Sequence, residues 1–324
     1  MKKILVIQTA FIGDVILATP VISELKRIFP ESKIDFLLRK GNESLLDNNP
    51  FINEVLIFDK KNQKLKKIIA LIRRIRSTKY DVVINLQRFA SSGIITAFSG
   101  AKIRIGFEKN PFSFLFTKKI KHEIGNGLHE VERNLLTIQD FGAKKMVKPQ
   151  IFPSEGNYEK VKIFKTENYY CLAPASIWFT KQLPIEKWIE LAKKLSTLGK
   201  VYLIGGPSDF DLCEQIRSQV DTRSCENLAG KLSFLESAAL FQDAKMNYVN
   251  DSGPMHFCSA VNAPVSVFFC STSPEFGFGP LSDDSKIIES EERPSCKPCG
   301  LHGYKSCPKN NFLCGNQIKI DIVI

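Results

Sequence analysis

"ILVIQTAFIGDVILATPVISELK" (residues 4–26) sets an apolar run directly before a stretch with helical spacing. A strand over residues 3–8 and a helix over 15–29 follow, joined through Phe11-Ile12-Gly13-Asp14. In a dinucleotide-binding fold this junction reads Gly-x-Gly-x-x-Gly, so that backbone can touch a pyrophosphate. Here a single glycine stands beside a carboxylate that would repel phosphate. The junction therefore belongs to an α/β unit whose first loop serves something other than a nucleotide.

The alternation continues outward from this stretch. Strand signals recur at 34–39, 55–59, 81–86 and 103–107, with helical patterns at 63–78, 91–99 and 129–142 between and after them. A stretch without clear periodicity from Lys144 to about Asn168 reads as a linker. A second series follows, with strands at 169–176, 201–206, 247–251 and 265–269 and helices at 185–198, from Ser208, at 233–244 and from Gly253. Such alternation predicts parallel sheets covered on both faces. The expected fold is α/β, with two Rossmann-like domains, 1–160 and 161–324, whose sheets face a central cleft. Ligands of open α/β sheets bind beyond the carboxyl ends of the strands. The loops to watch are 9–14, 174–181, 205–211 and 250–256.

Charge is distributed unevenly. Residues 1–160 hold 28 lysines and arginines against 16 acids, and the remainder 17 against 18. The positive excess is densest in "KKNQKLKKIIALIRRIRSTK" (60–79), where Leu65, Ile68, Ile69, Ile72 and Ile75 form a helical stripe. Its basic face is either an ordinary solvated surface or a contact for an anionic one, membrane phospholipid or a phosphorylated substrate. Nucleic acid is not indicated, because no aromatic and basic interleaving accompanies the charge. No run of about 18 apolar residues is present, and Lys2-Lys3 lead into a strand rather than a signal peptide. The expected location is cytoplasmic, with peripheral contact at the inner membrane face.

Three loops can carry chemistry. Asp251-Ser252-Gly253 open a helix after a strand, where small residues expose backbone N–H groups to an anion, and His256 lies one turn on. An ordinary capped helix, with Asp251 or Ser252 as cap, is the alternative. In "APASIWFTKQLPIEKW" Ser176 and Thr180 offer hydroxyls and Lys181 a cation. Two cationic features on one rim suit a diphosphate leaving group. Asp209-Phe210-Asp211, after Gly205-Gly206, reads as helix-end chemistry rather than a metal motif.

Taken with "YDVVINLQ", "AKIRIGF", "YLIGG", "NLAGKLSFLESAALFQDA" and "VNDSGPMHFCSAVNAPVSVFFCSTSP", these stretches resemble the lipopolysaccharide heptosyltransferases of glycosyltransferase family 9. The ordered set runs from residue 1 to about 315. The resemblance implies a GT-B architecture and an inverting transfer of heptose, or a related sugar, from an ADP-sugar to a phosphorylated glycolipid acceptor of the lipopolysaccharide core. It implies acceptor on the N-terminal domain and donor on the C-terminal one. Asp14 matches the family's general base, and Lys181 its donor-phosphate lysine. Ser176, with Thr180 beside it, and Asp251, Ser252, Gly253 and His256 match the donor site. An acid at a helix N-terminus is expected to stay ionised. No metal is expected in catalysis, because these cationic and N–H donors would take the charge. The family's Lys-Arg-Trp-Pro is here Lys181-Gln182-Leu183-Pro184. Transfer to a protein or a capsule precursor keeps the same fold, and a nucleotide-sugar epimerase shares the two-domain architecture.

Five dispersed cysteines fit reduced core thiols. The other four run Cys296-x2-Cys299-x7-Cys307-x6-Cys314. They form either a structural tetrathiolate site for Zn or Fe or the reduced thiols of a packed loop.

Overall fold

The strand that begins each half of the computed structural model ends up inside its sheet, with its successor on one side and the fourth strand on the other. The structure describes residues 2–60, 64–165, 167–221 and 223–320. The expected start of the basic helix at residue 63 and the last four residues of the expected second domain lie outside them.

The first compact unit spans residues 1–152. Its elements are β1 (Lys3–Ile7), α1 (Ile12–Ile28), β2 (Lys33–Arg39), β3 (Glu54–Phe58), α2 (Lys64–Thr78), β4 (Val82–Asn85), α3 (Ala90–Ala97), β5 (Ile103–Phe107), β6 (Lys118–Ile120) and α4 (Glu130–Leu135). The parallel sheet is ordered β3-β2-β1-β4-β5-β6. β1 and β4 are buried almost throughout, as strands covered on both faces must be. α1 is buried from Val15 to Ile22 because it lies between the sheet and α4. Past α4 the chain continues as a 3-10 stretch to Phe141 and stops at Gly142, whose φ of 91° is left-handed, the helix stop expected there.

The second unit spans 153–324. It contains α5 (Glu155–Val161), β7 (Tyr169–Ala173), α6 (Ile185–Ser196), β8 (Lys200–Leu203), α7 (Phe210–Arg217), β9 (Cys225–Asn227), α8 (Phe234–Gln242), β10 (Met246–Asn250), α9 (Gly253–Val261), β11 (Val265–Phe268), β12 (Ser285–Ile288) and the short α10 (Leu313–Asn316). Its parallel order is β12-β11-β10-β7-β8-β9. This is the first unit's order again, 3-2-1-4-5-6 in each unit's own count, the doubly wound arrangement. Trp188 on α6 is fully buried against Phe268 of β11, ring centroids 5.2 Å apart, inside one continuous core.

Three expectations are corrected. The units divide at 152/153 rather than 160/161, because the supposed linker contains α5. Ser154 caps that helix, and Tyr158 and Lys160 bond Gln242 and Glu236 of α8 at 2.6 and 2.8 Å. Second, β6, β9 and β12 were absent from the pattern; each has three or four residues, too few for a period to register. Third, α2 buries Ile68, Leu71 and Ile75, while Leu65 and Ile69 of the expected stripe are exposed. Lys67 and Arg74 of α2 pair with Asp59 and Glu54, so part of its basic charge is neutralised within the unit. Among the described residues no helix is long and apolar enough to cross a membrane.

The loop after β5 is fastened at one point. Asn110 donates to the carbonyls of Gln87 and Phe89 at 3.0 and 3.1 Å, and a Cβ on Gly93 of α3 would sit 2.0 Å from its side-chain oxygen. Glycine to alanine inside a helix ordinarily gains up to about 1 kcal/mol. Gly93→Ala should instead lower the melting temperature, because Asn110 must leave both carbonyls unpaired. An unchanged or raised melting temperature would show that Asn110 can move aside freely.

Candidate active site

In the first unit the strand order reverses between β1 and β4, which leaves a crevice at their carboxyl ends. The two loops there are tied together: Gln8 donates to the Leu86 carbonyl at 3.2 Å and the Thr9 hydroxyl to Gln87 Oε1 at 2.7 Å. Lys60 Nζ donates to the Thr9 carbonyl at 2.6 Å. The first turn of α1 thereby sits at the crevice, and its third residue is Asp14. That carboxylate accepts from the Phe11 N–H at 3.2 Å.

Asp14 is half-buried, and its pKa is pushed up to about 6. Burial is the main cause and the negative charge of Glu130 the next; the N–H groups of Phe11 and Asp14 and the Arg88 cation pull the other way without winning. The expectation that a helix N-terminus keeps this acid an ordinary carboxylate is thus corrected. The helix end lowers the pKa, but desolvation raises it further.

Glu130 is itself buried at the start of α4. His122 Nε2 lies 3.1 and 3.2 Å from its two oxygens, and Arg133 Nε donates at 2.7 Å. Burial is the largest influence and opposes ionisation, yet the bonds from His122 and Arg133 hold the Glu130 carboxylate below its usual range. α4 is fixed along α1 by Asn134, whose side chain donates to the Leu17 carbonyl at 3.2 Å. One turn back from that bond on each helix stand Glu130 and Asp14. In the sequence "HEVERNLL" shows a helical pattern, and its two acids and one arginine within four residues are the signal of this cluster.

In the second unit the reversal falls between β7 and β10. Asn250 closes the two loops, donating to the Pro174 carbonyl at 2.7 Å and accepting from the Leu183 N–H at 2.9 Å. This places Lys181 against Asp251, Nζ to Oδ2 at 2.6 Å, with the Thr272 hydroxyl on the same oxygen at 2.6 Å. Both side chains are mostly buried. Lys181 is therefore neither an idle surface lysine nor an open cation; a carboxylate holds it at the crevice. Ser252 is the N-cap residue of α9 in backbone terms, but its hydroxyl makes no capping bond and Asp251 is committed to Lys181 and Thr272. Pro254 has no N–H and the Met255 N–H donates to the Ser252 carbonyl at 3.2 Å, so at the start of α9 it is the Gly253 N–H that is left without a side-chain cap, unlike the capped-helix alternative.

The remaining candidates separate. Ser176 is half-buried on the loop after β7, and its carbonyl accepts from Gln182 at 2.6 Å. His256 is buried within α9. Thr180 is a correction to the donor-binding set: it is buried, and its hydroxyl bonds Ser271 Oγ at 2.9 Å and the Tyr304 N–H at 2.8 Å. It acts as a strut between the Lys181 loop and the cysteine-rich segment. Asp209 accepts from the Gly206 N–H at 2.8 Å, the helix-end role expected of it.

Cys296, Cys299, Cys307 and Cys314 line one pocket of about 250 Å³, with Thr180 and Phe312 among its walls. Among the described residues no three His, Cys, Asp or Glu side chains are placed to hold a metal ion, so the tetrathiolate arrangement expected for Zn or Fe is not formed. The thiols also differ in surroundings. Burial pushes Cys314 up to about 11, whereas four backbone N–H groups, Phe312 foremost, hold Cys307 below its ordinary value against the larger opposing effect of burial. A packed thiol loop accounts for this arrangement.

Residues 68–303 match glycosyltransferase family 9 (heptosyltransferase). Lipopolysaccharide heptosyltransferase 3 of Escherichia coli is 30% identical over 277 residues, 81% of this chain and 82% of that protein. Lipopolysaccharide heptosyltransferase 2 of Escherichia coli K12 is 26% identical over 88% of this chain and 87% of its own length. The solved structure of E. coli ADP-heptose lps heptosyltransferase II superposes with a TM-score of 0.79 at 24% identity, covering 96% of each chain, a likeness of fold.

The raised Asp14 pKa makes a stability forecast. Above about pH 6 the folded state holds a desolvated charge, and below the ordinary value of 3.8 both folded and unfolded chains are protonated there. Asp14 therefore costs stability at high pH, and that cost fades as pH falls through 6 towards 4. Asp14→Asn keeps the bond from Phe11 without the charge. Its melting temperature relative to wild type should be higher at pH 8 than at pH 4.5; a difference that does not vary with pH would show an ordinary carboxylate.

Proposed function

The chain belongs to glycosyltransferase family 9, and from that premise we propose that it is an inverting transferase carrying a heptose, or a related sugar, from an ADP-sugar to a lipopolysaccharide-core or related glycan acceptor. The observation that carries this reading is Asp14, a carboxyl with a pKa near 6 at the crevice of the first unit. A general base works best when its pKa lies near the working pH. The ionised carboxylate takes the proton of an acceptor hydroxyl. The oxygen attacks the anomeric carbon, and the bond to the diphosphate breaks with its electron pair leaving on phosphate.

On this reading the first unit binds acceptor and the second binds donor. Lys181 and the uncapped N–H groups at Ser252 and Gly253 take up charge as the diphosphate departs. Asp251 holds Lys181 in place until the diphosphate competes for it. Ser176 lies on the same loop as a further hydroxyl for the diphosphate, and His256 one turn into α9. Because fixed cationic and N–H donors serve the leaving group, turnover is expected to survive chelator. ADP-heptose is the proposed donor because the superposing E. coli structure bears that name, and a phosphorylated glycolipid suits the positive excess of residues 1–160. Such an acceptor places the protein at the inner membrane face.

A panel of nucleotide sugars, each with and without lipopolysaccharide-core acceptor, tests the reaction. Transfer that requires both substrates supports the proposal, whereas conversion of donor alone would indicate an epimerase. Asp14→Asn should lower kcat about 10²- to 10⁴-fold with little change in donor affinity. Lys181→Ala should cost roughly ten- to a hundredfold in kcat/KM for donor, since charge-assisted bonds are worth about 1.5–3 kcal/mol.

The pH profile gives a separate check. Below about 6 the base is protonated, so kcat/KM should rise about tenfold per pH unit and level off above that value. Glu130→Gln removes the charge that raises Asp14 and should move this limb to lower pH. A limb that stays in place would mean that Glu130 serves only to hold α4.

A further inference from the structure

Thr272 stands on the loop that follows β11, beside the carboxyl end of β10. It is 1% exposed, and its hydroxyl donates to Asp251 Oδ2 at 2.6 Å. Lys181 Nζ reaches the same oxygen, also at 2.6 Å, from the loop after β7. Among the described residues these two are the hydrogen-bonding partners of the Asp251 carboxylate. An ammonium and a hydroxyl thus share one oxygen in a mostly buried place. The reaction drawn above uses the ammonium and gives the hydroxyl no task.

The two partners differ in freedom. A lysine carries its charge on a flexible four-carbon stem, so the ammonium can turn to another anion while its backbone stays still. Thr272 has no such reach. The residue before it is pinned twice: the Ser271 hydroxyl donates to Thr180 Oγ1 at 2.9 Å, and the Ser271 carbonyl accepts from the Cys299 N–H at 2.7 Å. The residue after it is turned back on its own loop, since Ser273 Oγ accepts from the Glu275 N–H at 3.3 Å. A β-branched side chain on so fixed a backbone has few χ1 choices. When the Lys181 ammonium leaves, the Thr272 hydroxyl therefore stays on Asp251. A buried carboxylate that loses its cation is strongly destabilised, and a retained hydrogen bond to the charged oxygen offsets part of that loss.

We propose that Thr272 is a positioning residue for the leaving group: it keeps hold of Asp251 while the Lys181 ammonium turns from that carboxylate to the departing diphosphate. Only hydrogen bonds are exchanged, and the proton of the hydroxyl stays on Thr272 throughout. This role rests on Lys181 as the leaving-group cation and adds what holds Asp251 in its absence. The hydroxyl matters most when diphosphate is bound, because Asp251 then has no other partner. A threonine kept for packing alone would let a methyl group serve as well.

Calorimetric titration of the full chain with ADP, and with inorganic diphosphate as a probe lacking base and sugar, measures the exchange. Thr272→Val removes the hydroxyl at nearly constant size and should weaken both probes roughly tenfold or more. Thr272→Ser, which restores the hydroxyl, should bind close to wild type. On an Asp251→Asn background most of the loss caused by Thr272→Val should vanish, because a neutral amide leaves no buried charge to hold. Melting temperatures taken alongside separate this coupling from a fault in folding, and Thr272→Ala gives the same reading where valine strains the loop. The proposal is overturned if the valine and alanine variants bind as wild type does. It is equally overturned if Thr272→Ser loses as much as Thr272→Val, or if the loss is the same on both backgrounds. Wild type that binds neither probe would remove the leaving-group role of Lys181 and this role of Thr272 together, whereas a missing coupling removes Thr272 alone.

Discussion

A parallel sheet whose chain first winds one way and then the other must separate two loops at the point of reversal. Helices that follow adjacent strands on opposite faces cannot cover that point, so a crevice opens at the carboxyl ends. Both units here obey this constraint, and the rest of the site depends on it. In each, a buried amide or hydroxyl side chain spans the reversal: Gln8 and Thr9 from β1 to the β4 loop, Asn250 from β10 to the β7 loop. Backbone groups freed by the crevice are thus paired before any ligand arrives, and the reactive side chains inherit fixed positions.

What the two crevices hold is opposite in electrostatic character. Asp14 has a negative neighbour in Glu130 and a protonation equilibrium drawn towards neutrality. Lys181 has the carboxylate of Asp251 in contact, and both side chains are mostly buried. A base has to give up solvation to gain proton affinity, and a leaving-group cation has to remain charged while waiting. On the proposed reading, burial of Asp14 serves the first need and the Asp251 counter-ion of Lys181 the second. Glu130 can press on Asp14 only because His122 and Arg133 keep it ionised in the interior.

The sequence made the long strands and helices legible because their apolar periods extend over enough residues. It also pointed to Asp14, Lys181 and Asp251–Gly253, which stand at strand ends where topology puts ligands. It did not reveal the three short edge strands, nor α5, whose seven residues bury one hydrophobic side chain, Val161. Asp14 shows a deeper limit. Its position at a helix start is a local property that sequence displays, whereas the charge of Glu130 that helps to raise its pKa comes from a helix more than a hundred residues away in the chain. Thr180 failed for the same reason, since Ser271 and Tyr304, which claim its hydroxyl, are distant in sequence.

The cysteine-rich segment follows from that last contact. Thr180 sits one residue before Lys181, and its hydroxyl receives the Tyr304 N–H while Gly303 passes so close that a Cβ would lie 2.8 Å from the oxygen. Gly303 also has a φ of +74°, a conformation that side-chain-bearing residues rarely adopt. The segment therefore approaches the Thr180–Lys181 loop at a point where only backbone fits. Its four thiols need no shared ligand to matter, because the wall they form with Phe312 backs the turn that aims Lys181 at Asp251. Packing behind a charged side chain restricts its rotamers and lowers the entropy lost when it meets a diphosphate. The cysteine loop is thereby tied by position to Lys181, and through it to the leaving-group chemistry proposed above.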